Sequence, residues 1–150
     1  MELFMDEMNV QQEMYRKATE FITKRYPLGW GGAAVIHTED NQYLISTALD
    51  TIDSNIELCI ETGAMCEASK YDIKITHSLC VVRKNEHSDF RVLTPCGICQ
   101  ERLRFWGIDV KVAVTTSDNS LKFVALNELQ PYHWTNAFSD IVFFDDKRKI

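Results

Sequence analysis

At 150 residues with 45% apolar side chains, the chain is long enough to bury one core and short for two, so a single domain over residues 1–150 is expected. Its 16 Lys and Arg against 22 Asp and Glu leave a net charge of −6, a field that repels phosphate backbones and favours a small neutral or cationic partner over nucleic acid. No apolar run reaches the roughly 18 residues of a membrane span. The acidic start Met1-Glu2-Leu3-Phe4-Met5-Asp6-Glu7 also lacks the basic region of a secretory signal, so a soluble cytoplasmic protein is expected.

Along the chain, Met14, Tyr15, Ala18, Phe21 and Ile22 recur at helical spacing and predict an amphipathic helix over about 6–25, stopped before Pro27. Gly29, Gly31 and Gly32 punctuate a turn, and Ala33-Ala34-Val35-Ile36 leaves it as a strand. Turn residues at Glu39-Asp40-Asn41 predict a hairpin into a second strand over 42–47. The stretch 50–55 reads as a loop. Beyond it a helix is expected over 57–70, capped by Ser54 or Asn55, with Leu58, Ala64, Met65 and Ala68 on its apolar face.

Extended runs at 78–82, before Leu93, at 110–114 and at 121–124 alternate with a helix over about 96–106, introduced by Pro95 and ended by Gly107. Strands alternating with helices imply an α/β fold, a three-layer α-β-α sandwich around a mixed sheet of about five strands. The charged end Asp145-Asp146-Lys147-Arg148-Lys149 reads as part of a solvated tail over 140–150.

Five cysteines, two of them as Cys96-x-x-Cys99, point to metal or redox chemistry before disulfides. Spaced i, i+3 at the start of a helix, Cys96 and Cys99 can face one point, and the unpaired N–H groups there favour the thiolates that a metal needs. Taken alone, such a pair also suits a redox dithiol or half of a structural zinc site. Cys59-Ile60-Glu61 supplies the second half, a third thiolate followed two residues later by a carboxylate. Three protein ligands leave zinc a fourth position for water, and the extra acid can move protons.

The pairing of Cys59-x-Glu61 with Pro95-Cys96-x-x-Cys99 resembles the zinc-dependent cytidine deaminase superfamily. The segment Leu93-Thr94-Pro95-Cys96-Gly97-Ile98-Cys99-Gln100-Glu101 is similar to that family's Leu-Ser-Pro-Cys-Gly-x-Cys-Arg-Gln, and Leu129-Gln130-Pro131-Tyr132-His133-Trp134 to its closing Leu-Leu-Pro-x-x-Phe. Residues 26–35 resemble the stretch ending Gly-Ala-Ala, so the likeness spans about 26–134. A register on Cys66 would put Ala68 where the acid belongs, whereas Cys59 puts Glu61 there. Cys66 is then a half-buried thiol further along the same helix, and Cys80, inside an apolar strand, is core.

The resemblance implies a cytoplasmic hydrolase binding Zn2+ through Cys59, Cys96 and Cys99, in which Glu61 shuttles protons while water attacks C4 of a cytosine ring and ammonia leaves. Its implied partner is a small molecule, a cytosine nucleoside or analogue, with no membrane and no nucleic acid, and its implied assembly is a homotetramer. Thr62 stands where many three-cysteine members carry Arg, leaving helix-end N–H groups to offset the thiolate charge. Nine residues before Cys59 stands Asp50, able to accept a sugar hydroxyl, with Ile52 in place of the ribose-reading Glu. Blasticidin S deaminases also lack that Glu.

Trp30 is either a ring that stacks on the pyrimidine or a core residue fixing the glycine turn. Tyr132 and Trp134 either reach a neighbouring subunit or pack within the chain. His37, His77, His87 and His133 have no spacing that completes the site and read as surface or structural residues. A non-catalytic zinc scaffold on the same fold is the second hypothesis, and Glu61 argues against it.

Overall fold

The computed structural model describes residues 1–149, without the side chains of residues 2–5, so most of the acidic start and the last residue of the expected tail lie outside the described residues. Helix α1 (Glu2–Arg25) turns Met14, Ala18 and Ile22, four residues apart, onto the sheet, where each is fully buried. Strand β1 (Gly31–Thr38) is buried at all eight positions, because helices cover both faces of the sheet. It pairs antiparallel with β2 (Tyr43–Ser46) on one side and with β3 (Ile75–Arg83) on the other.

Six strands form the sheet in the order β2-β1-β3-β5-β6, with β4 attached to β3 off that path. The sixth is the short run ending at Leu93: β4 (Arg91–Leu93) pairs with the last part of β3 through Cys80, Val81 and Val82. The first part of β3 pairs in parallel with β5 (Lys111–Ala113), and β6 (Phe123–Ala125) closes the edge antiparallel to β5. One face buries Ala33, Val35, Leu79 and Val81 against α1. The other buries Ile36, Leu44 and Val112 against α2 (Thr62–Lys70) and α3 (Gly97–Leu103). The α-β-α sandwich is the expected one.

Two expectations fail locally. Helix α2 begins at Thr62 rather than 57, because Leu58 is drawn into an isolated bridge with Leu49, and the segment before it forms only a 3-10 turn over Ser54–Ile56. Asp53, not Ser54 or Asn55, caps that turn by accepting from the Asn55 N–H at 2.9 Å. Cys66 therefore does not share a helix with Cys59, and it is exposed rather than half-buried.

The charged end is not a free tail either. Beyond α4 (Leu126–Leu129) the chain reaches α5 (Phe144–Lys147), where Phe144 is 1% exposed and meets Phe105 edge-on with ring centres 6.0 Å apart. Lys74 holds Asp145 at 2.6 Å and Glu39 holds Arg148 at 2.7 Å, so the charges flanking Phe144 are tied to the body of the protein. Among the described residues no helix is long and apolar enough to cross a membrane.

Candidate active site

The site forms where two chain turns meet beside the sheet. Ser46 at the end of β2 donates its hydroxyl to the Ile60 carbonyl at 2.6 Å, which fastens Cys59-Ile60-Glu61 to the strand. Gly63 permits this approach, since a Cβ there would lie 2.9 Å from that of Ser46. The Thr62 N–H donates to the Cys59 carbonyl at 3.0 Å and the Met65 N–H to the Glu61 carbonyl at 3.1 Å, so Glu61 is the N-cap of α2 and Cys59 lies in the turn before it. Cys96 is the N-cap of α3, and the Gln100 side chain donates to the Pro95 carbonyl at 2.8 Å to hold its approach.

These two turns bring the three predicted sulfurs together. Cys59, Cys96 and Cys99 place their Sγ atoms within 4.8 Å of one another, with Cys59 and Cys96 3.4 Å apart. Tetrahedral zinc with sulfur at about 2.3 Å requires sulfur separations of about 3.8 Å, so the set fits such an ion without rearrangement of the fold. Among the described residues no other group of three or more Cys, His, Asp and Glu is so arranged. Cys99 is buried, Cys59 half-buried and Cys96 exposed, so the cluster opens towards solvent on the Cys96 side.

Glu61 is 5% exposed, and its Oε2 lies 3.5 Å from the Cys99 sulfur. Burial pushes the Cys99 thiol up, and the neighbouring Glu61 and Cys96 push it further. The Cys59 thiol is also raised, first by its contact with the Cys96 sulfur and then by burial. Burial acts upward on Cys96 too, but the N–H groups of Cys99 and Ile98 at the head of α3 help to bring it below the usual thiol range. A cluster of three potential thiolates and a carboxylate has the donor chemistry of a soft dication site, because one divalent ion relieves the mutual repulsion.

Trp30 stands at the edge of this region, 43% exposed. Its ring atoms Cζ2 and Cη2 lie 2.9 Å from where a Cβ on Gly32 would be, and Ile60 Cδ1 reaches the same point at 2.9 Å. The indole thus packs beside the Cys59–Glu61 turn. Asp50 is exposed just after Leu49, and among the described residues its side chain makes no hydrogen bond and does not join the sulfur cluster.

Sequence reasoning missed Arg102. From α3 its Nη1 donates to the Thr62 hydroxyl at 2.9 Å, joining the two turns that carry the sulfurs. Its position three residues after Cys99, on the same helical side, was the available signal. Trp134 packs within the chain at one end, where Glu101 accepts from its Nε1 at 3.2 Å and from the His133 ring at 2.7 Å, while the indole remains 60% exposed.

The site thus sets a buried acid beside a three-thiol cluster within a three-layer α/β fold. No protein-family model matches the chain, and no curated protein matches it significantly. Solved structures do. The cytidine deaminase from Bacillus anthracis is 50% identical, with a TM-score of 0.86 over 87% of this chain and 94% of that one. Cytidine deaminases from Mycobacterium leprae and Burkholderia pseudomallei share the fold at 14% and 15% identity. Each has a TM-score of 0.61, covering 80% and 79% of this chain and 96% and 94% of theirs. This chain belongs to the cytidine deaminase family.

Proposed function

We propose that the protein is a zinc-dependent hydrolase that removes the 4-amino group of a cytosine nucleoside, cytidine or deoxycytidine, and releases ammonia. The observation that carries this reading is Glu61, a buried carboxylate against the three-sulfur cluster without being one of its thiols. A closed structural metal site has no use for such a group.

Cys59, Cys96 and Cys99 would hold the ion through thiolate sulfurs, with the N–H groups at the head of α3 favouring the charged form of Cys96. Zinc held there would supply the Lewis acidity that makes water acidic enough to attack the ring near neutral pH. Glu61 would accept one proton from the attacking water and place it on the ring nitrogen, and would then pass the second water proton to the departing amine, which leaves as ammonia. Burial limits competing proton donors from solvent. Trp30 offers one ring face to the base, and Asp50 accepts a sugar hydroxyl.

Several features support a cytoplasmic homotetramer acting on a small molecule. All five cysteines are free, as a reducing compartment keeps them. Large apolar side chains stand exposed, among them Ile52, Ile56, Ile98 and Tyr132, which suits burial against neighbouring copies. Light scattering coupled to gel filtration tests the assembly.

The test of activity is ultraviolet absorbance of zinc-loaded protein with cytidine, deoxycytidine and blasticidin S, with Glu61→Ala as control. Turnover of a nucleoside that vanishes in the control supports the proposal. Turnover of blasticidin S alone moves the substrate, and no turnover of any of them overturns the reading.

A further inference from the structure

The turn that carries Trp30 is fastened from the far side of the β1–β3 pair. Gly29, at φ 76°, donates its N–H to Glu86 Oε2 at 2.8 Å, and Glu86 sits in the turn between β3 and β4, 57 residues away. Arg83, 5% exposed at the end of β3, donates from Nη2 to the Tyr26 carbonyl and stands opposite Gly31 in the sheet register. On the other side, the Tyr26 hydroxyl is 2.6 Å from Thr47 Oγ1, and Thr47 donates to the Gly32 carbonyl at 2.7 Å. Tyr26 meets the Trp30 ring edge-on, with centres 5.6 Å apart.

Residues 26, 29, 31 and 32 are thus each tied to another element, and Trp30 is the large side chain held between these ties. Its indole is partly open to solvent on one side and lies beside Ile60 on the other. A surface tryptophan on an unanchored glycine turn would sample several rotamers, and a ligand that stacks on it would bear the entropy of fixing it. A charge-assisted hydrogen bond at Gly29 removes that freedom beforehand. The Gly29 N–H is the leading influence holding the Glu86 carboxyl below the usual range, so Glu86 is an anion at neutral pH.

We propose that Glu86, with Arg83 beneath it, is a positioning residue for substrate: it clamps the Gly29 turn so that Trp30 stands as a preset wall next to the Cys59–Glu61 turn. The inference rests on the reading of Trp30 as the ring that stacks on the base. It gives the charged turn 84–89 a role in binding although none of its residues touches the sulfur cluster. Glu86 acts through Trp30 alone, so its effect falls on substrate affinity and leaves the chemical step in place.

The test is a double-mutant cycle in the zinc-loaded protein with cytidine, read as separate KM and kcat values. Glu86→Ala is expected to raise KM about fivefold with kcat changed less than about twofold. Glu86→Gln, whose amide oxygen can accept the same N–H, returns KM to within about twofold of the parent. Trp30→Ala raises KM about tenfold, and adding Glu86→Ala to it changes nothing further. Acrylamide quenching of tryptophan fluorescence, which needs no turnover, increases in Glu86→Ala and ceases to respond to that substitution when Trp30 is replaced by Phe.

If Trp30→Ala leaves KM unchanged, the stacking role and the clamp fall together. If Trp30→Ala raises KM but Glu86→Ala does not, or if Glu86→Ala keeps its full effect without Trp30, the clamp alone is overturned. Unchanged quenching in Glu86→Ala overturns it whatever the substrate proves to be.

Discussion

Glu61 Oε2 lies 3.5 Å from the Cys99 sulfur across 38 residues of sequence, and both side chains are buried. Two groups that become anions when ionised are placed together only where a cation or a shared proton reconciles them. On the proposed reading the thiols hold the metal and Glu61 moves protons, which leads to the first expectation. Glu61→Gln keeps the shape and removes the acid, so the variant should bind the same zinc as the parent while kcat falls about 10²- to 10⁴-fold. Metal content by plasma emission, measured beside turnover, checks both halves; a variant that loses zinc would make Glu61 a ligand.

Replacing Cys59 by Ser should abolish stoichiometric zinc, because only two thiolates remain and both lie on one short helical turn. Cys66→Ser should retain full zinc, since Cys66 is exposed and outside the cluster. Metal analysis of the two purified variants decides between the two registers, and the reverse pattern would move the site to Cys66.

His77 gives the protein an acid-sensitive joint. Burial, then the nearby His37 and Lys111, lowers its pKa from 6.5 to about 4, and its Nε2 is buried without a hydrogen-bond partner among the described residues. Glu7 of α1 faces it at 3.8 Å, and Phe123 of β6 packs against its ring. A histidine depressed in the folded state binds its proton more readily when unfolded. The stability it permits is therefore whole above about pH 6.5 and is lost as pH falls towards 4, by up to about 3 kcal/mol. Urea titrations at pH 7 and pH 4.5 should show this loss in the parent and a smaller one in His77→Asn.

Phe144→Ala should cost about 3–5 kcal/mol of stability, the range for emptying a fully buried aromatic site. The neighbouring substitution Lys149→Ala, at a side chain 77% exposed, should change stability by less than about 0.5 kcal/mol. Thermal unfolding of the two variants measures the contrast.

The first layer of the fold was legible because α1 repeats Met14, Ala18 and Ile22 at helical spacing, and the sulfur cluster was legible because Cys59-x-Glu61 and Cys96-x-x-Cys99 are short local motifs. What was not legible depends on partners distant in sequence. The delayed start of α2 follows from the Leu49–Leu58 bridge, which no local cap signal reports. Phe144 was hidden by the charges beside it, whose partners Lys74 and Glu39 lie far back in the chain. The hold of Glu86 on Gly29 spans 57 residues and leaves no periodic trace.

Strand β1 has no outward face. Its first four residues are Gly31, Gly32, Ala33 and Ala34, and a Cβ on Gly31 would come within 2.6 Å of Ile22 Cγ2. In a library of every single substitution this stretch should form the band of fewest survivors, because neither enlargement nor charge has anywhere to go. An engineer seeking to alter this protein should therefore leave that strand untouched.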